Sequence, residues 1–130
     1  MEGSLKRKMI ILQKDFDQNA GEIPVDADKM KQVFLNLFMN ALDSMEQKGT
    51  LTVSTLLKGG IFQINITDTG AGIPKEHLDK IFNLFFTTKG DKGTGVGLST
   101  CFDIIKKHQG RILVKSEVGF GTTFTIILPV

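Results

Sequence analysis

Two asparagines, Asn36 and Asn40, lie four residues apart in a segment of helical periodicity, so their side chains share one helix face. They border the apolar stripe of that segment, where a polar group left without a partner costs about 1–3 kcal/mol. One interpretation is that the two amides bond to neighbouring backbone. The other is that they bind a ligand, because an amide oxygen suits Mg²⁺, which takes its remaining oxygens from water and phosphate.

Asp68 ends a predicted strand on its apolar face, because Ile64 and Ile66 precede it at alternate positions. A carboxylate buried there needs a hydrogen-bond donor. The residues that follow include Gly70 and Gly72, which let a flat ligand approach the backbone closely. An adenine amino group would satisfy the carboxylate. The alternative is an aspartate that only makes local turn bonds.

A third signal is the segment G-T-G-V-G-L-S at residues 93–99, which runs into a predicted helix. Glycine-rich backbone before a helix offers free N–H groups and the positive end of the helix dipole to phosphate. The segment lacks a preceding strand and a Gly-Lys-Ser/Thr ending, so it differs from both the Rossmann and the Walker phosphate loops. Just before it, Lys89 and Lys92 either contact phosphate or are solvated.

The last signal is G-F-G-T at residues 119–122. Thr122 shares strand parity with Phe124 and Ile126, so its hydroxyl is expected to point towards the core, as the carboxylate of Asp68 does. A polar position on an apolar floor is typical of small-molecule sites. The aromatic block at residues 82–86 is expected to anchor the segment before the glycines to the core.

The elements that position these residues follow from hydrophobic periodicity. Asp26 or Asp28 can cap the helix that carries the asparagines, Gly49 is expected to mark its end, and residues 59–60 predict a hairpin. The order β-α-β-β-(α)-α-β-β predicts an α+β two-layer sandwich: a mixed, mostly antiparallel sheet of about five strands, covered on one face by about three helices. Predicted strands cover about 5–16, 50–57, 61–68, 111–117 and 122–128, and the later helices about 75–83 and 97–108.

Composition narrows the class of protein. The 130 residues, 41% of them hydrophobic, suit one globular domain over residues 1–130, with the polar residues 1–4 interpreted as a tail outside it. Cys101 is the only cysteine, which excludes a disulfide framework and favours a reducing, cytoplasmic setting. No stretch reaches the roughly 18 apolar residues of a membrane span. A net charge of +2 and the lack of Trp and Tyr argue against a nucleic-acid partner.

In this order the signals resemble the N, G1, F, G2 and G3 boxes of the histidine-kinase catalytic domain. That domain belongs to the ATP-binding superfamily of DNA gyrase B, the Hsp90 chaperone, histidine kinases and the MutL repair protein, whose fold is of the Bergerat type. The resemblance covers about residues 5–130. It implies ATP and Mg²⁺ as ligands, and transfer of the γ-phosphoryl group to a histidine in two-component signal transduction.

The resemblance also implies roles for single residues. Asn40 matches the Mg²⁺ ligand, and Asn36 matches the asparagine one turn earlier, near the phosphates. Asp68 matches the carboxylate that accepts from the adenine amino group, and Lys89 resembles a lysine of the ATP lid. The catalytic candidates are therefore Asn36, Asn40 and Lys89, and the candidates for nucleotide binding are Asp68, Gly70, Gly72, Phe86, Gly93, Gly95, Gly97, Leu98 and Thr122.

One position distinguishes the subfamilies. The superfamily's ATPases carry a glutamate as general base four residues before the Mg²⁺ asparagine, whereas this chain has Asn36, and an amide is not a useful base. This favours transfer to a protein nucleophile. The alternatives are a nucleotide-binding regulatory module without transfer activity and an ATPase of the chaperone or topoisomerase type. Asp43 departs from the basic residue that many histidine kinases have there, and it is left out of the site.

The phosphate acceptor is absent from the chain. The family's motif, His-Glu/Asp-x-x-Asn/Thr-Pro, fits neither His77, interpreted as a surface residue, nor His108, interpreted as a cationic side chain in a last helical turn. The resemblance therefore implies a separate dimerisation and phosphoacceptor domain, and a downstream response regulator, as partners. The domain is expected to be a cytoplasmic monomer that binds ATP without phosphorylating itself, and any membrane anchor of the parent protein would lie elsewhere.

Overall fold

The computed structural model describes residues 9–18, 20–83, 86 and 97–130. In chain order the elements are β1 (Met9–Asp15), α1 (Ala27–Ser44), β2 (Lys48–Lys58), β3 (Ile61–Asp68), α2 (Lys75–Leu78), α3 (Gly97–Lys107), β4 (Arg111–Glu117) and β5 (Gly121–Pro129). The strands form one five-stranded sheet in the order β1-β2-β3-β5-β4. β1 and β2 are parallel, and the other neighbouring pairs are antiparallel. The predicted α+β architecture with a mixed, mostly antiparallel sheet is confirmed.

The two faces of the sheet differ in polarity, because successive side chains of a strand point to opposite sides. On β3, Ile64, Ile66 and Asp68 are buried, whereas Asn65 and Thr67 on the other face are half-buried and bond to side chains of neighbouring strands. Helices α1 and α3 pack against each other over the apolar face. The fold therefore has one apolar core, between the helices and one face of the sheet.

Helix α1 begins as predicted and ends earlier than predicted. Asp26 is its N-cap, with Oδ1 accepting from the amide of Lys29 at 3.2 Å. The helix ends at Ser44, and Gly49 instead lies within β2, so the prediction that Gly49 marks the end of the helix was wrong. A Cβ atom at Gly49 would overlap the sulfur of Met45. This glycine is therefore explained by close packing against a buried side chain.

Glycines form the turn between β2 and β3 as predicted, whereas the turn after α3 has a left-handed residue that is not glycine. Gly59 and Gly60 have φ values of +59° and +78°, which suit the tight turn between β2 and β3. After α3, the left-handed residue is Gln109, with φ of +62°, and the amide of Gly110 bonds to the carbonyl of Ile105 at 2.9 Å. Gly110 is needed for another reason, since a Cβ atom there would lie 2.5 Å from the carbonyl oxygen of Ile127.

One prediction about the helices needs correction. α2 ends at Leu78, so it is shorter than the predicted 75–83. The buried residues of α3 are Ser99, Cys101, Ile104 and Ile105, and Leu98 and Phe102 are half-buried and pack against the core. No helix in the described ranges is long and apolar enough to span a membrane.

Both histidines make specific contacts, and His108 differs from its interpretation as a cationic side chain in a last helical turn. His77 is half-buried and packs edge-on against Phe86, with ring centroids 5.4 Å apart. His108 lies just after α3, where its Nε2 accepts from the amide of Asp26 at 3.1 Å. Its Nδ1 lies 2.9 Å from the carbonyl of Ile104 and is therefore the protonated nitrogen of a neutral ring. His108 joins the start of α1 to the end of α3.

Candidate functional site

Asp68 is the buried carboxylate of the site. Its side chain is only 4% exposed, so the inward orientation predicted from strand parity is confirmed. Oδ1 accepts from the amide of Gly70 at 2.8 Å. Burial raises the pKa of Asp68 above its ordinary value of 3.8, and hydrogen bonds from the amides of Gly70 and Thr122 and the hydroxyl of Ser44 offset only part of this effect. The site therefore holds an acceptor group in a poorly hydrated place.

The loop after Asp68 packs tightly on the end of α1. The amide of Ala71 donates to the carbonyl of Ser44 at 3.1 Å. The hydroxyl of Ser44 has a single proton, which it shares between Asp68 and the carbonyl of Ala41 at 2.9 Å. A Cβ atom at Gly70 would overlap the hydroxyl of Ser44. Glycine at position 70 is therefore required by the contact between the loop and the helix, in addition to any ligand.

The same loop is fixed on its other side by the turn between β4 and β5. Gly72 has φ of +82°, and a Cβ atom there would overlap the carbonyl oxygen of Glu117. The amide of Gly119 donates to the carbonyl of Ala71 at 2.8 Å. The two glycine segments that the sequence singled out, at residues 70–72 and 119–121, are thus in contact.

Thr122 lies directly across the sheet from Asp68, because β3 and β5 pair in the register Asp68↔Thr122. It is 5% exposed, which confirms the predicted inward orientation. Its hydroxyl lies 2.8 Å from the hydroxyl of Ser116 on β4. Ser116 also accepts from the amide of Ile73 at 2.7 Å and donates to the carbonyl of Gly121 at 3.0 Å. One serine hydroxyl therefore connects the loop, the β4–β5 turn and Thr122.

A surface cavity of about 550 Å³ borders this cluster, a size within the usual range for small-molecule pockets. Neither of the α1 asparagines lines it. The cavity reaches the sheet edge at β4 and the turn that follows this strand. Its lining residues are Thr67, Asp68, Leu78, Val114, Lys115, Ser116, Glu117, Phe120, Gly121, Thr122 and Thr123.

The asparagines and Ser44 form a polar edge along α1, with a spacing of four residues that keeps all three on one face. Ser44 lies against Asp68, and Asn36 lies at the other end, where its Nδ2 donates to the carbonyl of Gly97 at 3.2 Å. Asn40 is half-buried between them. Two helical turns separate the ends of this edge by about 12 Å. The edge thus connects the buried carboxylate to the first residue of α3.

Cys101 of α3 lies behind Asn36. The thiol is fully buried and donates to the carbonyl of Val33 at 3.6 Å. Burial raises the pKa of the thiol to about 11, an effect that a hydrogen bond from the Asn36 amide reduces. Cys101 therefore stays protonated at neutral pH and acts as a packing residue next to the polar edge.

The remaining predicted site residues divide into two groups. Phe86 is half-buried against the core and His77, and Gly97 and Leu98 begin α3. A Cβ atom at Gly97 would make an ordinary van der Waals contact, since the nearest atom among the described residues, Asn36 Cγ, would lie at 3.7 Å. Lys89, Gly93 and Gly95 lie outside the described residues, so their predicted roles remain predictions.

Two residues of the cluster, Ser44 and Ser116, were not predicted from the sequence. Ser44 follows Asn36 and Asn40 at the same interval of four, so extending the helical face by one turn identifies it. Ser116 shares inward strand parity with Ile112 and Val114, which is the signal that identified Thr122. Nothing in the sequence indicates that Ser116 faces Thr122, because that contact depends on the pairing of β4 with β5.

Comparisons with known proteins agree with this geometry. Residues 25–130 match the family of histidine kinase-, DNA gyrase B- and HSP90-like ATPases. The sensor histidine kinase ZraS of Escherichia coli is 44% identical over 109 residues, which are 84% of this chain and 23% of that protein. The nucleotide-free catalytic domain of the histidine kinase ThkA superimposes with a TM-score of 0.82 at 31% identity, over 92% of this chain and 80% of that one.

A second solved structure, full-length ShkA in complex with AMPPNP, matches with a TM-score of 0.81 at 26% identity, over 92% of this chain and 25% of that one. The chain therefore belongs to the histidine kinase-, DNA gyrase B- and HSP90-like ATPase family. Within it, the chain has the fold of a histidine-kinase catalytic ATP-binding domain, which confirms the resemblance inferred from the boxes. It spans about a quarter of the length of the curated relative ZraS.

Proposed function

We propose that this domain binds Mg·ATP and transfers the γ-phosphoryl group to a histidine on a separate phosphoacceptor domain of a sensor kinase. The observation that supports the proposal is the polar edge of α1. Ser44 lies against the buried Asp68 at one end, and Asn36 bonds to the first residue of α3 at the other. A nucleotide along this edge would have its base at Asp68 and its phosphates towards the segment that precedes α3.

Asp68 and the glycine loop suit an adenine base. The carboxylate is buried, and its Oδ1 accepts from the amide of Gly70. A carboxylate has about four acceptor positions, so this bond uses only part of its capacity to accept hydrogen bonds. An exocyclic amino group would add a donor to it. Thr122 and the loop at residues 70–72 would complete this end of the pocket, and Phe86 and Leu98 would border it.

Asn40 would bind the metal. In the described part of the chain, no cluster of three His, Cys, Asp or Glu side chains could hold a metal ion. This fits Mg²⁺, which needs few protein ligands when phosphates and water supply most of its oxygens. Bound Mg²⁺ would neutralise charge on the phosphates. Lys89 and the glycines Gly93, Gly95 and Gly97 would contact the phosphates.

Asn36 favours phosphoryl transfer over hydrolysis. Its amide already donates to a backbone carbonyl, and an amide cannot take a proton from water at neutral pH. A histidine imidazole needs no such base, because one ring nitrogen has a free lone pair. Positioning of the two reactants would supply most of the rate, as in other phosphoryl transfers. The proposed setting is cytoplasmic two-component signal transduction, with a response regulator downstream.

Calorimetric titration of Mg·ATP into the wild type and Asp68→Ala tests the binding step. We expect binding that requires Mg²⁺ in the wild type and a loss of at least about tenfold in the variant, since hydrogen bonds to charged groups contribute about 1.5–3 kcal/mol. GTP should bind more weakly than ATP, because guanine places a carbonyl opposite Asp68. Equal affinities for ATP and GTP would contradict the role of Asp68.

Mixing the domain with Mg·ATP and the phosphoacceptor domain of its parent kinase tests the transfer step. Phosphohistidine should form on the acceptor domain and not on this chain. The Asn40→Ala variant should fail to form it, whereas a substitution on the far side of the sheet, Thr125→Ser, should not change the rate. Nucleotide binding without any phosphohistidine would instead indicate a regulatory module.

A further inference from the structure

Ser116 has more hydrogen-bond partners than it has protons. Three polar atoms lie within 3.0 Å of its hydroxyl oxygen: the amide nitrogen of Ile73, the carbonyl oxygen of Gly121 and the hydroxyl oxygen of Thr122. A serine hydroxyl donates one hydrogen bond and accepts two. Assigning the three bonds therefore assigns the position of every proton in the cluster.

The two backbone partners fix their own directions. The amide of Ile73 can only donate, so Ser116 accepts there. The carbonyl of Gly121 can only accept, so Ser116 uses its single proton there. Thr122 must then donate its own proton to Ser116 across the remaining 2.8 Å. If Ser116 instead donated its proton to Thr122, the oxygen of Ser116 and the carbonyl oxygen of Gly121 would face each other at 3.0 Å with no proton between them.

This arrangement leaves Thr122 with only lone pairs for a ligand. The neighbouring Asp68 is also an acceptor, and two backbone amides already donate to it. We propose that Ser116 is a positioning residue that directs the Thr122 hydroxyl proton away from the pocket, so that Thr122 and Asp68 present only acceptors to the 6-position of the base. The proposal rests on the proposed function, because it assumes that a nucleotide base occupies this site.

The consequence is selectivity for a base edge that carries an amino group. Adenine offers two N–H donors at its 6-position, directly or through a bridging water, whereas hypoxanthine offers a carbonyl oxygen at the same place. With Ser116 present, neither Asp68 nor Thr122 has a proton for that carbonyl. Without Ser116, the Thr122 hydroxyl can rotate and donate to it. Ser116 would therefore strengthen discrimination through the orientation of the Thr122 hydroxyl.

The test compares Kd values for ATP and inosine triphosphate in the wild type, Ser116→Ala and Ser116→Thr. The selectivity ratio is the Kd for inosine triphosphate divided by the Kd for ATP. We expect this ratio to fall about three- to tenfold in Ser116→Ala, a change that corresponds to one net hydrogen bond. Ser116→Thr keeps the hydroxyl and should keep the wild-type ratio. Ser54→Ala is the matched control, since Ser54 accepts from Asn65 at 3.4 Å on the opposite face of the sheet.

A purely structural role for Ser116 gives a different result. Ser116→Ala would then weaken both nucleotides by the same factor, and an unchanged ratio would overturn the proposal. The double variant Ser116→Ala/Thr122→Val adds a second criterion. If Ser116 acts through Thr122, its removal should not change the ratio further once Thr122→Val is present. A further fall in the ratio would mean that Ser116 acts by another route.

Neutron diffraction from wild-type crystals tests the same idea without a variant that could fail to fold. The deuterium of Thr122 should lie between the two hydroxyl oxygens, and that of Ser116 should point to the Gly121 carbonyl. A Ser116 deuterium directed at Thr122 overturns the assignment. A wild type that binds neither nucleotide would refute the proposed function, and the neutron result would still decide the direction of the proton.

Discussion

Asn36 on α1 donates a hydrogen bond from Nδ2 to the carbonyl oxygen of Gly97 at 3.2 Å, and so joins the middle of the longest helix to the first residue of α3. The two residues are 61 positions apart in the sequence. The bond makes Asn36 a structural link between the helices. Any role in contacting phosphate would have to compete with this link or add to it.

Asn36→Asp tests the link, because it removes the donor and places a carboxylate against a carbonyl. We expect the free energy of unfolding to fall by about 1–3 kcal/mol at neutral pH. Urea denaturation measures it. Asn65→Asp is the control, since Asn65 keeps its acceptor role towards Thr125 at 2.8 Å and loses only a long contact to Ser54. Equal losses in the two variants would show that the Asn36 bond contributes little.

Burial of the carboxyl of Asp68, a candidate ligand-binding group, lowers the stability of the fold at neutral pH. Burial raises the pKa of its carboxyl above 3.8, so between pH 3.8 and the raised value the folded state binds more protons than the unfolded state. The free energy of unfolding must therefore contain a contribution that decreases as the pH rises through this window. At neutral pH the ionised carboxylate is a net cost, which ligand binding would offset.

Asp68→Asn should therefore unfold at a urea concentration equal to or higher than the wild type at pH 7, while its affinity for ATP falls at least about tenfold. Wild-type affinity for ATP should also weaken as the pH is lowered through the raised pKa. Urea denaturation between pH 4 and pH 7 and calorimetry measure the two effects. The control is Asp103→Asn on the exposed surface of α3. A variant that lost both stability and binding would contradict this account.

Gly70 and Gly97 provide a contrast between a glycine that packing requires and one that it does not. A Cβ atom at Gly70 would overlap Ser44, both its hydroxyl and its carbonyl oxygen, whereas at Gly97 the nearest atom of the described residues would be 3.7 Å away, an ordinary contact. Gly70→Ala should therefore lower the free energy of unfolding by about 1–3 kcal/mol through overpacking. Gly97→Ala should be neutral or stabilising by up to about 1 kcal/mol, because alanine favours a helix.

Calorimetric titration with Mg·ATP tests whether Gly97 also contributes to ATP binding. If the start of α3 binds phosphate through closely approaching backbone, Gly97→Ala should be folded and yet weaker in ATP binding. An unchanged ATP affinity in that variant would mean that Gly97 does not contact phosphate. A stable Gly70→Ala variant would contradict the packing argument.

Local patterns predicted much of the fold. The strand at 61–68 and the strand at 111–117 have their predicted bounds, because alternation of apolar residues between turn residues is a strong signal over short distances. The same alternation placed Asp68 and Thr122 on the buried face, where the structure has them. Helix ends are harder to predict from local patterns. The pattern predicts a helix end at Gly49, whereas this glycine lies in β2 and makes room for the side chain of Met45.

Relationships between distant elements could not be predicted in this way. The contact of Ser116 with Thr122 needs the register of β4 against β5, and the bond between Asp26 and His108 needs α1 and α3 to pack side by side. Residue patterns report which face a side chain occupies and not which residue lies opposite. For this reason the acceptor groups of the site were found from the sequence, and the hydroxyl that orients one of them was not.

His108 is expected to contribute to the stability of the fold and not to ATP binding. Its neutral ring bonds to the amide of Asp26 and to the carbonyl of Ile104, so His108→Ala should lower the free energy of unfolding by about 1–2 kcal/mol. The ATP affinity should not change, because α3 separates His108 from Gly97 by about 16 Å. Lys107→Ala on the exposed neighbouring position is the control. Reduced ATP affinity in a folded His108→Ala variant would mean that the spacing of α1 and α3 is coupled to the nucleotide site, and thermal unfolding with and without Mg·ATP would detect it.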